Sequence, residues 1–379
     1  MNGAEFALRN ARVVTAGEVV FGSVQVRGGR IVAVDPGAGL AGVDLDGDYL
    51  LPGLVELHTD NLERHLMPRP KVSWPELPAV LAHDAEVAAA GITTVFDALG
   101  VGDADPQAVR AQNLAPLLRA LDAAADAALL RAEHRVHARI ELPAPNACAL
   151  FEPFAEHPRV GLVSLMDHTP GQRQWEDIEQ ARVYYCGKKG WSASEFERML
   201  AESRDLQARH AGPNRRFFCD WARRRAVPLA SHDDTRPEHV AEAHADGATI
   251  CEFPTRLEAA RAARSRGMTI VAGAPNLVRG GSHSGNVAAL ELARHGLLDA
   301  LSSDYVPASL LVGAFRLVTQ ADFTVAQAMA RVSLNPARAA GLTDRGEIAP
   351  GLRADLVQVR LAGEQPVVRA VWREGRRIA

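Results

Sequence analysis

The sequence predicts an α/β protein, a (β/α)8 barrel of the TIM type, with a small β domain formed by both chain ends. Three observations support this fold class: eight short apolar runs, helical patterns between those runs, and Val-rich alternating segments near both termini. No Gly-rich dinucleotide fingerprint follows any run, which disfavours a doubly wound open sheet. We expect the small domain to comprise residues 1–52 and 345–379, and the barrel residues 53–344.

Both chain ends show the alternation of apolar and polar residues that is typical of strands with one face exposed to solvent. Apolar and polar residues alternate over Phe6–Val14, Val19–Arg27 and Arg30–Val34, with glycine punctuation between the segments. The tail returns to this pattern over 354–359. We therefore expect the tail to join the N-terminal strands.

The first barrel strand is the apolar run Leu50–Leu57, which ends abruptly in His58-Thr59-Asp60. Apolar runs without alternation are typical of strands buried on both faces. The same reading predicts the later barrel strands Ile92–Leu99, Val136–Leu142, Val160–His168, Val227–Asp233, Ala248–Phe253, Met268–Pro275 and Ala300–Tyr305.

Helix signals fill the intervals between these strands. A helix is expected over Pro78–Ala90, and Asn286–Leu298 predicts another. Ser194 with Glu197, and Thr255 with Glu258, have capping-box spacing. Residues 169–192 show little periodicity and predict a long loop.

Composition excludes several classes of protein. The hydrophobic content of 47% and charged content of 23% are those of an ordinary globular protein. A formal charge of −4 gives no cationic field for nucleic acid. The four cysteines form no CxxC pair, which suits a reducing cytoplasm, and no apolar run predicts an export signal or a membrane span. A homo-oligomer is compatible with the sequence.

Polar residues end most of the predicted barrel strands, where barrel enzymes carry their chemistry. Each has an ordinary structural reading as an ion-pair partner or a helix cap. Their recurrence instead favours one or two divalent metal ions at the barrel mouth. The strand-end residues are His58, Asp60, Glu141, Asp167, His168, His232, Asp233, Asp234, Glu252 and Asp304; we expect the metal ligands to be His58, Asp60, Glu141, His168, His232, Glu252 and Asp304.

A divalent ion lowers the pKa of water from about 15.7 towards 7, so that a nearby carboxylate can take the proton. We assign that general-base role to Asp304.

The segment after strand seven, residues 276–286, predicts an anion-binding loop. Its three glycines leave backbone N–H groups accessible, and Arg279 and His283 add side-chain donors. A flexible loop is the alternative reading. Cations expected near the mouth also include Arg64, Arg69, Arg173, Lys188 and Lys189, although the lysine pair could equally lie in a solvated turn. We take Arg64, His65, Arg173 and Lys188 with Arg279 and His283 as substrate-binding.

Several motifs resemble the amidohydrolase superfamily of metal-dependent barrels, and specifically its phosphonate-catabolism branch. They are PGLVELHTD (52–60), HTDNLERH (58–65), ASHDDT (230–235), EFPT (252–255), GAPNLVRGGSHSGN (273–286), SSDYVPASLL (302–311) and PG-x-x-ADLV (350–357).

The resemblance implies a hydrolase that cleaves the 5-triphosphate of a ribose methylphosphonate, releasing pyrophosphate from a small phosphorylated-sugar substrate. Asp304 and a metal would activate water for attack on the α-phosphorus. The superfamily usually begins His-x-His, whereas this chain has His58-x-Asp60, and Glu252 stands where a strand-six histidine is usual. The added carboxylates make Mn²⁺ or Mg²⁺ plausible beside Zn²⁺, with Glu141 as a candidate bridging ligand.

Two other functions are compatible with these residues. A carbon–nitrogen hydrolase, such as a deaminase or cyclic amidase, would need fewer cations at the mouth. A scaffold that kept the barrel but lost activity is disfavoured by the retained His58, His232 and Asp304.

Overall fold

The computed structural model describes residues 5–36, 41–69, 72–103, 109–282 and 285–379. The strands are, in chain order, β1 (Phe6–Val14), β2 (Val19–Arg27), β3 (Arg30–Pro36), β4 (Val43–Asp44), β5 (Tyr49–Pro52), β6 (Leu54–Thr59), β7 (Ile92–Val101), β8 (Glu133–Glu141), β9 (Val160–Met166), β10 (Leu229–His232), β11 (Ile250–Glu252), β12 (Thr269–Gly273), β13 (Ala300–Ser302), β14 (Leu356–Ala362), β15 (Gln365–Arg373) and β16 (Arg376–Arg377).

The α-helices are α1 (Asn61–Leu66), α2 (Glu76–Ala89), α3 (Val109–Asp126), α4 (Ala147–Phe151), α5 (Ile178–Lys189), α6 (Ala193–Leu206), α7 (Gly212–Arg225), α8 (Pro237–Ala245), α9 (Leu257–Ser265), α10 (Ala274–Arg279), α11 (Ala289–Arg294), α12 (Ser309–Gln320), α13 (Val325–Ala330) and α14 (Leu334–Ala339). Short 3-10 turns cover Glu152–Phe154 and Arg173–Trp175, and a π-helix covers Gln207–Ala211. No helix among the described residues is long and apolar enough to span a membrane.

One sheet combines strands from both chain ends. Its order is β16-β15-β14-β5-β1-β2-β3, and β4 pairs with β1. The tail joins through β14, whose Val357 pairs with Leu51 of β5. Buried side chains such as Leu8, Val24 and Trp372 form its core. The predicted terminal β unit is confirmed.

The other sheet contains the barrel strands in chain order, β6 through β13. Neighbouring strands run parallel, and a parallel bridge between Thr59 and Asp304 links the first strand to the last. The predicted (β/α)8 barrel is confirmed. The predicted domain boundaries, at 52/53 and 344/345, stay a prediction.

The chain divides into two compact units. The first comprises Met1–Asp97, Arg119–Arg135 and Ala272–Ala379, and the second comprises Ala98–Leu118 and Val136–Val271. The first therefore holds the terminal sheet, β6 and β13, and the second holds β9, β10 and β11.

The run Leu50–Leu57 is not one strand, as predicted, because Gly53 separates β5 from β6. A Cβ at Gly53 would collide with the Thr93 side chain, so the chain changes sheet where only glycine fits. All six residues of β6 are buried.

The prediction of a loop over 169–192 is wrong, since it contains α5. Asp177 caps this helix by accepting bonds from two backbone N–H groups, and Gly190 ends it in a left-handed conformation. Among the side chains of α5 that the structure describes, only Ala181 is fully buried, so the apolar periodicity is weak.

Three helix predictions need correction. The capping box before α6 is Ser192 with Glu195, two residues earlier than predicted. Thr255 does not cap α9; its hydroxyl instead donates to Thr235 Oγ1 at 2.9 Å. The helix predicted over Asn286–Leu298 covers only Ala289–Arg294.

Candidate active site

In the first unit, His58, Asp60 and Asp304 lie together. Their ligand atoms are all within 4.8 Å of one another, and His58 Nε2 is 3.7 Å from Asp60 Oδ1. His58 is 1% exposed, whereas the Asp60 side chain is 24% exposed. The group thus reaches from the protein interior to solvent, as a metal site that admits substrate must.

Backbone bonds between the ends of β6 and β13 hold this group. Asp304 N–H donates to His58 O at 3.1 Å, and Asp60 N–H donates to Asp304 O at 2.9 Å. Thr59 Oγ1 also donates to Asp304 O, at 2.8 Å. Asp304 has a φ of 54°, a left-handed conformation that costs free energy in a non-glycine residue. The backbone of Asp304 is therefore fixed by its bonds to the end of β6.

Glu56 is a buried carboxylate that the sequence reasoning missed. It accepts bonds from the backbone N–H groups of His58 at 2.7 Å and Ser303 at 2.6 Å, and so links the segments that carry His58 and Asp304. Burial raises its pKa to about 7, against the lowering effect of these bonds. The sequence did contain a signal for Glu56. This glutamate interrupts an otherwise apolar run and lies two residues before His58, so on a strand the two side chains share one face.

In the second unit, Glu141 and His168 form a pair. Glu141 Oε2 lies 2.6 Å from His168 Nδ1, and Glu141 Oε1 accepts the backbone N–H of His168 at 3.0 Å. Burial raises the pKa of Glu141, but the charge and hydrogen bonds of His168 outweigh it and hold that pKa below its usual value. Glu141 is therefore an anion, as a bridging metal ligand requires.

A second cluster in this unit surrounds His232. Ligand atoms of His168, His232 and Asp233 lie within 4.8 Å of one another, and His232 Nδ1 is 3.1 Å from Asp233 Oδ2. Glu252 Oε2 lies 3.9 Å from His232 Nε2. The structure thus gathers Glu141, His168, His232 and Glu252, and adds Asp233.

Two further buried residues of β8, His137 and Arg139, were missed. They share a face with Glu141 at two-residue spacing. His137 Nδ1 is 4.0 Å from Glu252 Oε1, and the Arg139 charge helps to lower the pKa values of Glu141 and Asp233. The sequence could have indicated them, because His137, Arg139 and Glu141 alternate with apolar residues over 136–141 (VHARIE).

The predicted substrate-binding cations have different surroundings. Arg64 donates from Nη1 to Asn61 Oδ1 at 3.2 Å and to the carbonyl of Tyr305, and remains exposed. His65 Nε2 lies 2.8 Å from Glu86 Oε2. Both side chains belong to the short helix α1, which directly follows Asp60.

Arg173 is 5% exposed and ion-paired with the buried Asp234. Its Nη1 also donates to His232 O at 3.3 Å, so this guanidinium holds the end of β10. Its direct binding of substrate stays a prediction.

The segment after β12 begins as helix α10, so the predicted loop is shorter than expected, and the exposed Arg279 is the last helical residue. Gly280 and Gly281 follow with positive φ values, and Gly281 N–H donates to Asn276 O at 2.9 Å. His283 lies outside the described residues, and the Lys188 side chain is likewise outside what the structure describes.

Comparisons with known proteins agree with this barrel. The model described as "Amidohydrolase family" matches residues 219–379. The chain is 47% identical over 375 residues to alpha-D-ribose 1-methylphosphonate 5-triphosphate diphosphatase from Escherichia coli, covering 98% of this chain and 99% of that protein. It is 27% identical over 365 residues to adenine deaminase from Desulfatibacillum aliphaticivorans, covering 94% of this chain and 55% of that protein.

Solved structures share the fold at low identity. N-isopropylammelide isopropylaminohydrolase from Burkholderia multivorans gives a TM-score of 0.62 at 19% identity, covering 99% of this chain and 98% of that one. N-acetyl-D-glucosamine-6-phosphate deacetylase from Mycobacterium smegmatis gives 0.63 at 16% identity, covering 99% and 100%.

Proposed function

The chain belongs to the amidohydrolases, in the family of the alpha-D-ribose 1-methylphosphonate 5-triphosphate diphosphatases, and we propose that it catalyses that reaction. It cleaves the 5-triphosphate of alpha-D-ribose 1-methylphosphonate 5-triphosphate to the 5-phosphate and pyrophosphate. The observation that carries this proposal is the 47% identity to the Escherichia coli diphosphatase over 98% of this chain. The free cysteines, Cys148, Cys186, Cys219 and Cys251, support a cytoplasmic site of action.

The strand-end residues fit a divalent metal. Imidazole nitrogens and carboxylate oxygens within 4.8 Å of one another are the donors that Zn²⁺, Mn²⁺ and Mg²⁺ share. We assign one ligand set to His58, Asp60 and Asp304, and a second to Glu141, His168, His232 and Glu252, with Asp233. When bound, such an ion lowers the pKa of water and neutralises charge on phosphate oxygens. The high share of carboxylates favours Mn²⁺ or Mg²⁺ beside Zn²⁺.

Asp304 is the general base. Its carboxylate takes a proton from the attacking water, whose oxygen bonds to the α-phosphorus. The bond from that phosphorus to the bridging oxygen breaks, and pyrophosphate leaves with the electron pair. The backbone bonds of Asp304 to His58 and Asp60 position this residue before substrate arrives.

The leaving pyrophosphate carries developing negative charge, which nearby cations stabilise. Arg64 supplies such a cation next to Asp60, and Arg279 supplies one after β12. We assign His65 as a further phosphate-binding side chain beside Arg64. We assign Lys188, His283 and Arg173 to the same role. A deaminase or cyclic amidase would not depend on these cations.

The test is ³¹P NMR of purified protein with Mn²⁺ and ribose 1-methylphosphonate 5-triphosphate. We expect pyrophosphate and a 5-phosphate product in equal amounts. Stepwise release of orthophosphate would refute attack at the α-phosphorus. No reaction by protein shown to contain metal would overturn the diphosphatase assignment and favour a carbon–nitrogen hydrolase.

A further inference from the structure

Helix α1 carries Asn61, a residue to which the mechanism above gives no role. Asn61 is 1% exposed and makes three side-chain hydrogen bonds. Its Nδ2 is 3.0 Å from His83 Nδ1 and 2.9 Å from Glu86 Oε2, and its Oδ1 accepts from Arg64 Nη1 at 3.2 Å. The amide thus joins an exposed cation to helix α2.

The partners of Asn61 fix the direction of every hydrogen bond. Arg64 can only donate and Glu86 accepts, so the amide oxygen faces Arg64 and the amide nitrogen faces Glu86. The same nitrogen must then donate to His83 Nδ1, which leaves the proton of neutral His83 on Nε2. That proton is donated to Asp97 Oδ1 at 2.7 Å.

The network continues into the protein interior. Asp97 Oδ2 lies 2.8 Å from His134 Nδ1, and His134 Nε2 lies 3.3 Å from Asp84 Oδ1. Asp84 in turn accepts the backbone N–H of Ala132 at 2.9 Å. His83, Asp84, Asp97 and His134 are at most 1% exposed, so the inner end of the network is anchored where side chains have little freedom.

The outer end of the network contacts Arg64 and His65, the two residues of α1 that we assign to substrate binding. Arg64 Nη1 donates to both Asn61 Oδ1 and the carbonyl of Tyr305, the residue after Asp304. Glu86, which accepts from Asn61, also lies 2.8 Å from His65 Nε2. One nitrogen of Arg64 makes both bonds, and the exposed side chain offers its other N–H groups to a ligand.

We propose that Asn61 is a positioning residue that holds Arg64 beside Asp304, so that the guanidinium binds the polyphosphate chain of the substrate. The structural basis is the buried hydrogen-bond network from Asn61 through His83 and Asp97 to His134. Because long flexible side chains lose entropy when they bind, a cation restrained beforehand binds phosphate more tightly. Since this role presupposes the proposed function, its test includes a binding measurement that needs no turnover.

The test is a double-mutant cycle of Asn61→Ala and Arg64→Ala. Calorimetry measures the Kd of inorganic tripolyphosphate for metal-loaded protein, and ³¹P NMR measures kcat and KM for the ribose triphosphate. We expect Asn61→Ala to raise Kd and KM about tenfold, as expected for a hydrogen bond to a charged group, with a much smaller change in kcat. In the Arg64→Ala background, Asn61→Ala should leave Kd nearly unchanged.

Additive effects of the two substitutions would overturn the proposal, because Asn61 would then act through the adjacent Asp60. An unchanged Kd in Asn61→Ala would also overturn it. If Asn61→Ala does not fold, Glu86→Ala replaces it, since that side chain is 42% exposed and can be removed without a cavity. Unchanged binding in Glu86→Ala would then contradict the proposal.

The matched control is Asn335→Ala, which removes an asparagine bonded to Asp299 O at 2.7 Å in the same unit. It should leave Kd unchanged. If the wild type binds tripolyphosphate but does not cleave the ribose triphosphate, the diphosphatase assignment fails while the cycle in Kd still tests Asn61.

Discussion

Among its described residues, the first unit contains two clusters of histidine and carboxylate with opposite organisation. In the strand-end cluster, His58, Asp60 and Asp304 bring two carboxylates towards one imidazole and reach solvent through Asp60. In the buried cluster, the His134 imidazole lies between the carboxylates of Asp84 and Asp97, and none of them is exposed.

This difference indicates which of the two histidine clusters is suited to bind a metal ion. In the buried cluster, each imidazole nitrogen already faces a hydrogen-bond partner, and the amide of Asn61 fixes the proton of His83 on Nε2. The strand-end cluster instead gathers acceptor atoms around a position open to solvent, which a cation would stabilise. The distances between ligand atoms alone do not distinguish the two clusters, because both satisfy the same 4.8 Å limit.

Asp97→Asn should have the largest effect on stability. It removes the charge that faces two buried imidazoles, and breaking a buried ion pair costs about 3–5 kcal/mol. Urea denaturation followed by circular dichroism measures the free energy of unfolding. Asp304→Asn in metal-free protein should show no such loss, because it relieves the repulsion between two neighbouring carboxylates; an equal loss would contradict the comparison.

Asp304→Asn should have the largest effect on turnover. We expect kcat to fall at least about 100-fold, the usual scale for a general base, with folding retained. The rate of pyrophosphate release by ³¹P NMR measures this. Asp322→Asn is the matched control, because this exposed aspartate has a φ of 57°, close to the 54° of Asp304. Near-normal turnover in Asp304→Asn would remove Asp304 from the mechanism.

The buried cluster should also make stability depend on alkaline pH. Burial lowers the pKa of His134, but the facing charges of Asp97 and Asp84 outweigh it and raise that pKa to about 9. Since the unfolded value is about 6.5, the contribution to stability is full below about pH 6.5 and is lost as pH rises through about 9.

Urea denaturation at a series of pH values between these limits tests this loss. His134→Gln should flatten the profile, whereas His295→Gln, at an exposed position, should leave the wild-type slope. A wild-type profile without alkaline loss would show that His134 does not carry the charge.

Arg279→Ala should have the smallest effect of the four. It removes one exposed cation after β12, and we expect KM for the triphosphate to rise several-fold, up to about tenfold, with kcat nearly unchanged. Steady-state kinetics measure both constants. A KM equal to that of the wild type would exclude Arg279 from phosphate binding.

Much of the fold was predictable because the barrel strands are apolar runs and the terminal strands alternate. His58 and Asp60 were both predicted as metal ligands, and their two-residue spacing would place them on one face of a strand, yet β6 ends at Thr59. Asp60 is instead placed by its backbone bond to Asp304 O. The prediction that His58 and Asp60 lie close together agrees with the structure, but the contact that places Asp60 is with a residue distant in the sequence, which no local pattern encodes.

The buried network was not predictable from local sequence. His83 and Asp84 lie in α2, Asp97 in β7 and His134 in β8, so only the folded chain brings them together. Glu56 and Arg139 could have been found, because a charged residue inside an apolar strand needs a partner. Their partners could not, since register between distant strands decides them.

Crystallography of Mn²⁺-loaded protein, with anomalous data collected at the manganese edge, tests the central claim most directly. We predict an anomalous peak coordinated by His58, Asp60 and Asp304, and none between His83, Asp97 and His134. A peak in the buried cluster, or protein that binds Mn²⁺ without using His58, Asp60 and Asp304, would contradict the assignment of the strand-end residues as the metal site.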